Sequence, residues 1–175
     1  QVSIGAGIPA SVGATTVNKV CGSGLKSVML AAQAIRCGDA DVVVAGGTEN
    51  MSSAPYLLPK ARCGYRLGNG ELIDAMIRDG LWDVYHNMPM GTCGDRCAAE
   101  HGISRQEQDD YAVASYRPAL EAQDSGATAE EIAPVEIAGR KGTTTVECDE
   151  EPGRFNEAKL RALRPACGAE GSVAA

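Results

Sequence analysis

The stretch Val17-Asn18-Lys19-Val20-Cys21-Gly22-Ser23-Gly24-Leu25 decides how the first part of this chain folds. It predicts a short strand, a tight glycine turn and then a helix, with Cys21 at the junction. The helix follows from apolar residues at the three- and four-residue spacings of one buried face, namely Leu25, Val28, Met29, Ala32 and Ile35. Gly38 comes just after the last turn, where a left-handed cap is favoured.

Cys21 is the candidate nucleophile of this turn. It lies at the predicted helix start, where unpaired N–H groups and the positive end of the helix dipole favour a thiolate. The thiolate is the nucleophilic form of cysteine. Gly22 and Gly24 leave room around the sulfur for a bulky acyl group. The alternative is a packing cysteine, since free cysteine is among the most buried residue types.

A second strand is predicted at Asp41-Val42-Val43-Val44-Ala45, a short apolar run typical of a strand that is buried on both faces. Together with the strand before Cys21 and the helix between them, this run predicts a βαβ unit with parallel strands and a right-handed crossover. Residues 1–8 predict one more strand, which Pro9 ends. The fold class is therefore α/β.

The rest of the chain predicts a long excursion followed by short elements. Residues 52–70 are rich in Pro, Gly and Arg, and long excursions usually carry function or an interface. Ser104 and Glu107 form a capping-box pattern that opens a helix, which Pro118 is expected to kink or break. Shorter helices are predicted at 71–77, 92–100 and 156–162, and a β-hairpin at 134–138 and 143–147.

Composition excludes several classes of protein. A chain of 175 residues predicts one domain with a sizeable core. The net charge of −7, without a dense Lys/Arg cluster, argues against a nucleic-acid partner, although a local patch could still hold the phosphates of an anionic ligand. No apolar run approaches the roughly 18 residues that span a bilayer, and no signal-peptide pattern is present. We expect a soluble, cytoplasmic protein without a membrane partner; an organelle form stays open.

The seven cysteines favour a reduced intracellular protein over a disulfide scaffold, because they are odd in number and unevenly spaced. Cys93 and Cys97 lie one helical turn apart, which would let them contact one metal ion. No second pair of matching spacing supports such a site. We therefore predict no bound metal.

The segment Asn18–Leu25 resembles the nucleophile motif of the thiolases, enzymes that make or cleave 3-ketoacyl-CoA. Further segments resemble the family in the same order: Ala45-Gly46-Gly47-Thr48-Glu49-Asn50-Met51-Ser52, Asp79-Gly80-Leu81, Met90-Gly91-Thr92, Ser104-Arg105-Gln106-Glu107-Gln108-Asp109 and Leu163-Arg164-Pro165-Ala166. The resemblance implies part of a layered βαβ core at 1–46, an inserted, mainly helical loop domain that covers CoA at 47–165, and the start of a return to the core at 166–175.

The same resemblance implies an acyltransferase that forms or cleaves acetoacetyl-CoA or a longer 3-ketoacyl-CoA through an S-acyl intermediate on Cys21. Its substrates and products would be CoA and CoA thioesters, including acetyl-CoA, in fatty acid metabolism. No permanently bound cofactor is expected. The family also implies a homo-oligomer, either a dimer or a tetramer.

Three binding residues are implied by position. Met90 matches the family methionine that lines the acyl pocket, and Leu81 matches a residue that touches the pantetheine arm. Arg154 lies within one residue of a family arginine near the adenine of CoA. The alternatives are core packing for Met90 and Leu81 and a solvated charge for Arg154. Pro89 stands where acetoacetyl-specific members often have His, so the acyl chain length stays open.

The family's second core half carries three further motifs: Asn-Glu-Ala-Phe, a Gly-His-Pro histidine and a Cys-x-Gly cysteine. This sequence contains none of them. The resemblance therefore implies that the other catalytic groups belong to a missing C-terminal half and that this fragment alone is inactive. One open alternative is an inactive truncation or a structural, partner-binding remnant. Another is a cysteine hydrolase, but neither His86 nor His101 has a fitting context for its base.

Overall fold

The computed structural model describes residues 1–174. The chain divides into two compact units, of which the first comprises Gln1–Trp82 and the second begins at Asp83. The domain boundaries expected after residues 46 and 165 concern the assembled protein and stay predictions.

The first unit is built around helix α2, Ser23–Cys37, whose N-cap is Gly22. Gly38 ends it with a left-handed φ of 76°, so the predicted helix and its glycine cap are confirmed. The other elements are short: α1 (Val2–Gly5), a 3₁₀ turn (Met51–Ser53), β1 (Tyr56–Leu57), β2 (Ile73–Asp74) and a π-helical turn (Ile77–Leu81). Strands β1 and β2 pair antiparallel.

The three strands predicted in residues 1–46 are not formed, and these predictions are wrong for this structure. Residues 1–8 contain the helical turn α1, and only an isolated bridge between Lys19 and Cys21 precedes α2. The apolar run at 41–45 is irregular, with Val42 and Val44 85% and 87% exposed. A parallel strand needs hydrogen-bonded neighbours on its flanks, and the described part of this unit supplies none for the run.

The mixture of helices with small sheets agrees with the α/β class, whereas the layered βαβ core stays a prediction. The helix expected at 71–77 is also corrected, since β2 occupies the middle of that range. Pairing of Leu57 with Ile73 and of Tyr56 with Asp74 outweighs the helical periodicity there.

The second unit contains two long helices, of 12 and 20 residues. Strand β3 (Trp82–Asp83), which spans the boundary between the units, pairs with β4 (Met88–Pro89). Strand β4 leads directly into α3, Met90–His101, which Gly102 ends at a φ of 66°. Helix α4, Arg105–Asp124, follows after a short link.

The capping box predicted for α4 is present. The Ser104 hydroxyl accepts a hydrogen bond from the Glu107 amide at 3.2 Å, and the Glu107 carboxylate accepts one from the Ser104 amide at 2.7 Å. The helix continues through Pro118, where a kink or break was expected. Proline removes a single backbone donor, and the buried Val113 and Asp109 anchor the preceding turns.

The hairpin and the last helix are confirmed. Strands β5 (Val135–Gly139) and β6 (Gly142–Val146) pair antiparallel over their full length, and they are followed by α5 (Glu150–Gly153) and α6 (Glu157–Arg161). The Tyr116 ring on α4 stacks on Phe155 with ring centroids 4.6 Å apart.

Few side chains in the described chain are buried. Ala98, Val113 and Asp109 are the buried residues of 1–174, and Asp109 is paired with Arg105 Nε at 2.7 Å. The described residues therefore do not form the sizeable core that the chain length predicts. None of the helices in residues 1–174 is long and apolar enough to cross a membrane.

Candidate active site

Cys21 is an exposed free thiol directly before the N-cap of α2. The first intrahelical hydrogen bond runs from the Lys26 amide to the Gly22 carbonyl at 2.9 Å. The Ser23 amide donates a hydrogen bond to the Val20 carbonyl at 3.1 Å. The amides of Gly24 and Leu25 belong to the positive end of the helix, whose N-cap Gly22 directly follows Cys21. The helix start predicted after Cys21 is therefore present, but the strand predicted before Cys21 is not.

Two polar side chains, those of Ser23 and Asn18, form hydrogen bonds with the backbone of the turn that carries Cys21. The Ser23 hydroxyl accepts a hydrogen bond from the Lys19 amide at 2.8 Å and donates one to the Val20 carbonyl at 2.6 Å. The Asn18 carboxamide oxygen accepts a hydrogen bond from the Val20 amide at 2.9 Å. These bonds fix the backbone on the N-terminal side of Cys21.

Val20 adopts a left-handed backbone with a φ of 48°. That conformation is a true outlier for a β-branched residue, and such residues cost about 1–3 kcal/mol each and cluster at functional sites. The hydrogen bond that the Val20 amide donates to Asn18 and the one that the Val20 carbonyl accepts from Ser23 hold this conformation. The strain falls on the residue directly before Cys21, the predicted nucleophile.

The glycine pair after the apolar run packs on the start of α2. The Ser27 hydroxyl donates a hydrogen bond to the Gly46 carbonyl at 3.0 Å. Gly24 and Gly47 face each other at the same place, where their backbones come into contact. The motif around Gly46 thus supports the helix that begins just after Cys21.

The three other predicted site residues lie on separate elements. Leu81 ends the π-helical turn and is 41% exposed, and Met90 is the first residue of α3 and is 47% exposed. Arg154 follows α5, where its guanidinium donates a hydrogen bond to the Glu150 carboxylate at 2.5 Å. Cys21 and Leu81 belong to the first unit, and Met90 and Arg154 to the second. Their meeting in one site stays a prediction.

Sequence reasoning missed a polar cluster between β3 and α3. Asp83 accepts hydrogen bonds from His86 Nδ1 at 2.7 Å and from the His86 amide at 3.0 Å. The His86 bond is the main reason why the pKa of Asp83 is lowered. Partial burial raises the pKa of the Cys93 thiol, and the charge of Asp83 raises it further. Cys93 is thus kept as a thiol, which does not suit a nucleophile.

Cys93 and Cys97 share one surface cavity of about 260 Å³ with His86, Arg96 and Glu100. Within residues 1–174, no group of three or more His, Cys, Asp or Glu side chains is placed to hold a metal ion.

Sequence reasoning also missed the roles of Asn18 and Ser23 in the turn before α2, although their residue types offered a signal. Asn18 and Ser23 belong to residue types that hydrogen-bond nearby backbone in turns.

The chain matches the thiolase N-terminal domain family over residues 1–175. It is 54% identical to acetyl-CoA acetyltransferase 2 of Arabidopsis thaliana over 94% of this chain and 41% of that protein. It is 52% identical to the acetyl-CoA acetyltransferase of Yarrowia lipolytica over 100% of this chain and 43% of that protein. It is 49% identical to the acetyl-CoA acetyltransferase of Pseudomonas aeruginosa over 100% of this chain and 45% of that protein.

The chain therefore belongs to the thiolase family, as the motifs around Cys21 and Gly46 indicated. It spans less than half the length of these curated relatives.

Proposed function

We propose that the complete protein containing this chain is an acetyl-CoA acetyltransferase that forms or cleaves acetoacetyl-CoA through an S-acyl intermediate on Cys21. The match over residues 1–175, with relatives that carry this name, is the observation that supports it most. The exposed thiol at the start of α2 supplies the group that the chemistry needs.

In the first half-reaction the Cys21 thiolate attacks the carbonyl carbon of an acyl-CoA thioester. A new carbon–sulfur bond forms on Cys21, and the CoA thiolate leaves and takes up a proton. Cys21 directly precedes the N-cap of α2, and the start of a helix is a place that stabilises negative charge. The small neighbours Gly22 and Gly24 leave space for the acyl group.

In the second half-reaction an acetyl-CoA loses a proton from its methyl carbon, and the resulting carbanion attacks the S-acyl carbonyl. A carbon–carbon bond forms and the Cys21–acyl bond breaks, which restores the thiolate. The acid–base group near the methyl carbon is, by family resemblance, a cysteine in the other half of a thiolase. Cys93 does not match the Cys-x-Gly motif of that second cysteine, because Gly94 and Asp95 follow it.

Met90, Leu81 and Arg154 are proposed to contact the acyl group, the pantetheine arm and the adenine end of CoA. A longer 3-ketoacyl-CoA is a substrate alternative, because Pro89 precedes Met90. No permanently bound cofactor is needed for these steps. A homo-oligomeric, cytoplasmic enzyme is part of the same proposal.

The experiment is a Cys21→Ser variant of the complete protein, with Cys37→Ser, at the far end of α2, as the control cysteine. We expect Cys21→Ser to lose thiolytic turnover of acetoacetyl-CoA with CoA, because an alkoxide is far harder to generate than a thiolate. CoA affinity by calorimetry should stay close to that of the parent. A Cys21→Ser protein that keeps most of its turnover removes Cys21 from the mechanism. A parent that binds CoA but never turns over supports the inactive remnant.

A further inference from the structure

The segment Ala166–Val173, which we call the C-terminal loop, closes on itself and lies on helix α3. The Ala166 amide donates a hydrogen bond to the Val173 carbonyl at 2.9 Å, and the Gly171 amide donates one to the Gly168 carbonyl at 3.0 Å. The loop is thus held at its ends and at its tip by its own backbone.

Asp95 on α3 holds this loop by two charge-assisted hydrogen bonds. Its Oδ1 atom accepts from the Ser172 amide at 2.7 Å and from the Val173 amide at 2.8 Å, both in a partly buried setting. Bonds of this kind are about twice as strong as neutral ones. Gln108 Nε2 on α4 donates to the Ser172 hydroxyl at 2.9 Å, so the loop is bound to a second helix as well.

The face of α3 under the loop is made of residues that leave room for it. Positions 91, 94 and 95 share one face of the helix. The Cys167 sulfur occupies the place where a Cβ on Gly91 would lie, and a Val173 methyl group lies 3.0 Å from the corresponding point at Gly94. The side chains of the loop therefore pack directly against the backbone of this helix face.

The contact with Gly91 reaches the first turn of α3, next to Met90. Because α3 is fixed by both Asp95 and Gly91, it can rotate or slide only if the loop moves with it. We infer that the C-terminal loop is a clamp on α3, and that Asp95 is a positioning residue that sets Met90 against the acyl group. The acyl-pocket role of Met90 in this inference rests on the proposed function.

The test compares Asp95→Ala with Asp95→Asn in the complete protein, because the asparagine carboxamide oxygen can still accept both amides. Glu100→Ala on the same helix is the control. Hydrogen exchange is measured on residues 94–101 and 166–174. We expect Asp95→Ala to speed exchange of the Ser172 and Val173 amides about tenfold, Asp95→Asn to restore most of the protection, and Glu100→Ala to leave it unchanged.

The second arm measures kcat and KM for acetoacetyl-CoA and for 3-ketohexanoyl-CoA. We expect Asp95→Ala to raise KM about tenfold with kcat within about twofold, to change the preference between the two substrates, and to be rescued by Asp95→Asn. Thermal unfolding of each variant separates these effects from global destabilisation.

Each outcome decides something different. Unchanged exchange in Asp95→Ala overturns the clamp, whatever the activity. Faster exchange with unchanged KM and unchanged preference, in an active parent, overturns the positioning of Met90. A parent without any turnover overturns the proposed function and the acyl-pocket role together, while the exchange data still judge the clamp.

Discussion

Gly24 and Gly47 meet so closely that a Cβ atom on Gly47 would lie 3.0 Å from the Gly24 Cα. A Cβ on Gly24 would lie 3.8 Å from the Gly47 backbone, which is an ordinary van der Waals distance. The contact is therefore asymmetric. Alanine fits without adjustment at Gly24, whereas at Gly47 it requires the facing backbone to shift by a few tenths of an ångström.

The asymmetry makes a matched pair of variants. Gly47→Ala should destabilise the complete protein by about 1–3 kcal/mol, since backbone atoms must move to admit the methyl group. It should also slow the labelling of Cys21 by limiting iodoacetamide, because the start of α2 shifts. Gly24→Ala should be close to neutral, since alanine is also the better helix former. Thermal unfolding and peptide mapping measure both effects, and equal costs for the two variants would contradict this packing.

Arg154 is expected to contact CoA but is engaged by Glu150 through the 2.5 Å hydrogen bond described above. Glu150→Gln should release the guanidinium for a phosphate group. Exposed ion pairs contribute at most about 1 kcal/mol, so the Kd of CoA should fall by no more than about fivefold. Arg154→Ala should raise that Kd. Calorimetry at low salt measures both, with Glu136→Gln on the hairpin as the control for net charge.

An unchanged Kd in both variants would contradict the proposed role of Arg154. If neither Arg154→Ala nor Glu150→Gln changes the Kd of CoA, Arg154 is a solvated charge and leaves the binding site.

The sequence predicted those elements that are stabilised by interactions between residues close to one another in the chain. The start of α4 is a property of Ser104 and Glu107 alone, and the hairpin is a property of two adjacent runs joined by a turn at Gly142. The run Val42–Val44 was different, because a strand exists only where another segment supplies hydrogen-bond partners. No periodicity within the run carries that information.

The candidate site divides in the same way. Cys21 could be singled out from its flanking glycines and from the helix that follows. The left-handed backbone of Val20 could not, since valine disfavours that conformation. It is held by the bond that the Val20 amide donates to Asn18 and by the bond that Ser23 donates to the Val20 carbonyl. Asp95 was missed because its partners lie 77 and 78 residues further along the chain.

Acid should weaken the start of α4 through Glu107. The hydrogen bonds donated by Ser104, first from its amide and then from its hydroxyl, lower the pKa of Glu107 below its ordinary value of 4.5. The charged form is therefore favoured in the folded state. Its contribution to stability is fully present above pH 4.5 and is lost as the pH falls through the lowered folded value.

Glu107→Gln removes this titration while keeping an acceptor for the Ser104 amide. In the complete protein, the thermal midpoint of the parent should exceed that of Glu107→Gln at neutral pH, and the difference should shrink as the pH falls from about 5 to about 3. Glu121→Gln, on the same helix, should follow the parent. A difference that stays constant over this range would show that the carboxylate has no ionisation-linked role.

The last prediction concerns residues 1–175 expressed alone. Large apolar side chains on α2 are exposed in this structure, among them Leu25 and Val28, and so are Val42 and Val44. Each such side chain forfeits about 1.5–3 kcal/mol that burial would contribute, against a typical domain stability of roughly 5–15 kcal/mol. We therefore expect the isolated chain to aggregate or to form a loosely packed state without thiolytic activity, whereas the complete protein should unfold cooperatively. Size-exclusion chromatography with light scattering, near-ultraviolet circular dichroism and calorimetry distinguish these states. A monomeric 18.1 kDa species with a sharp thermal transition would show that the exposed face of α2 needs no further partner, and would favour a binding module over a part of an enzyme.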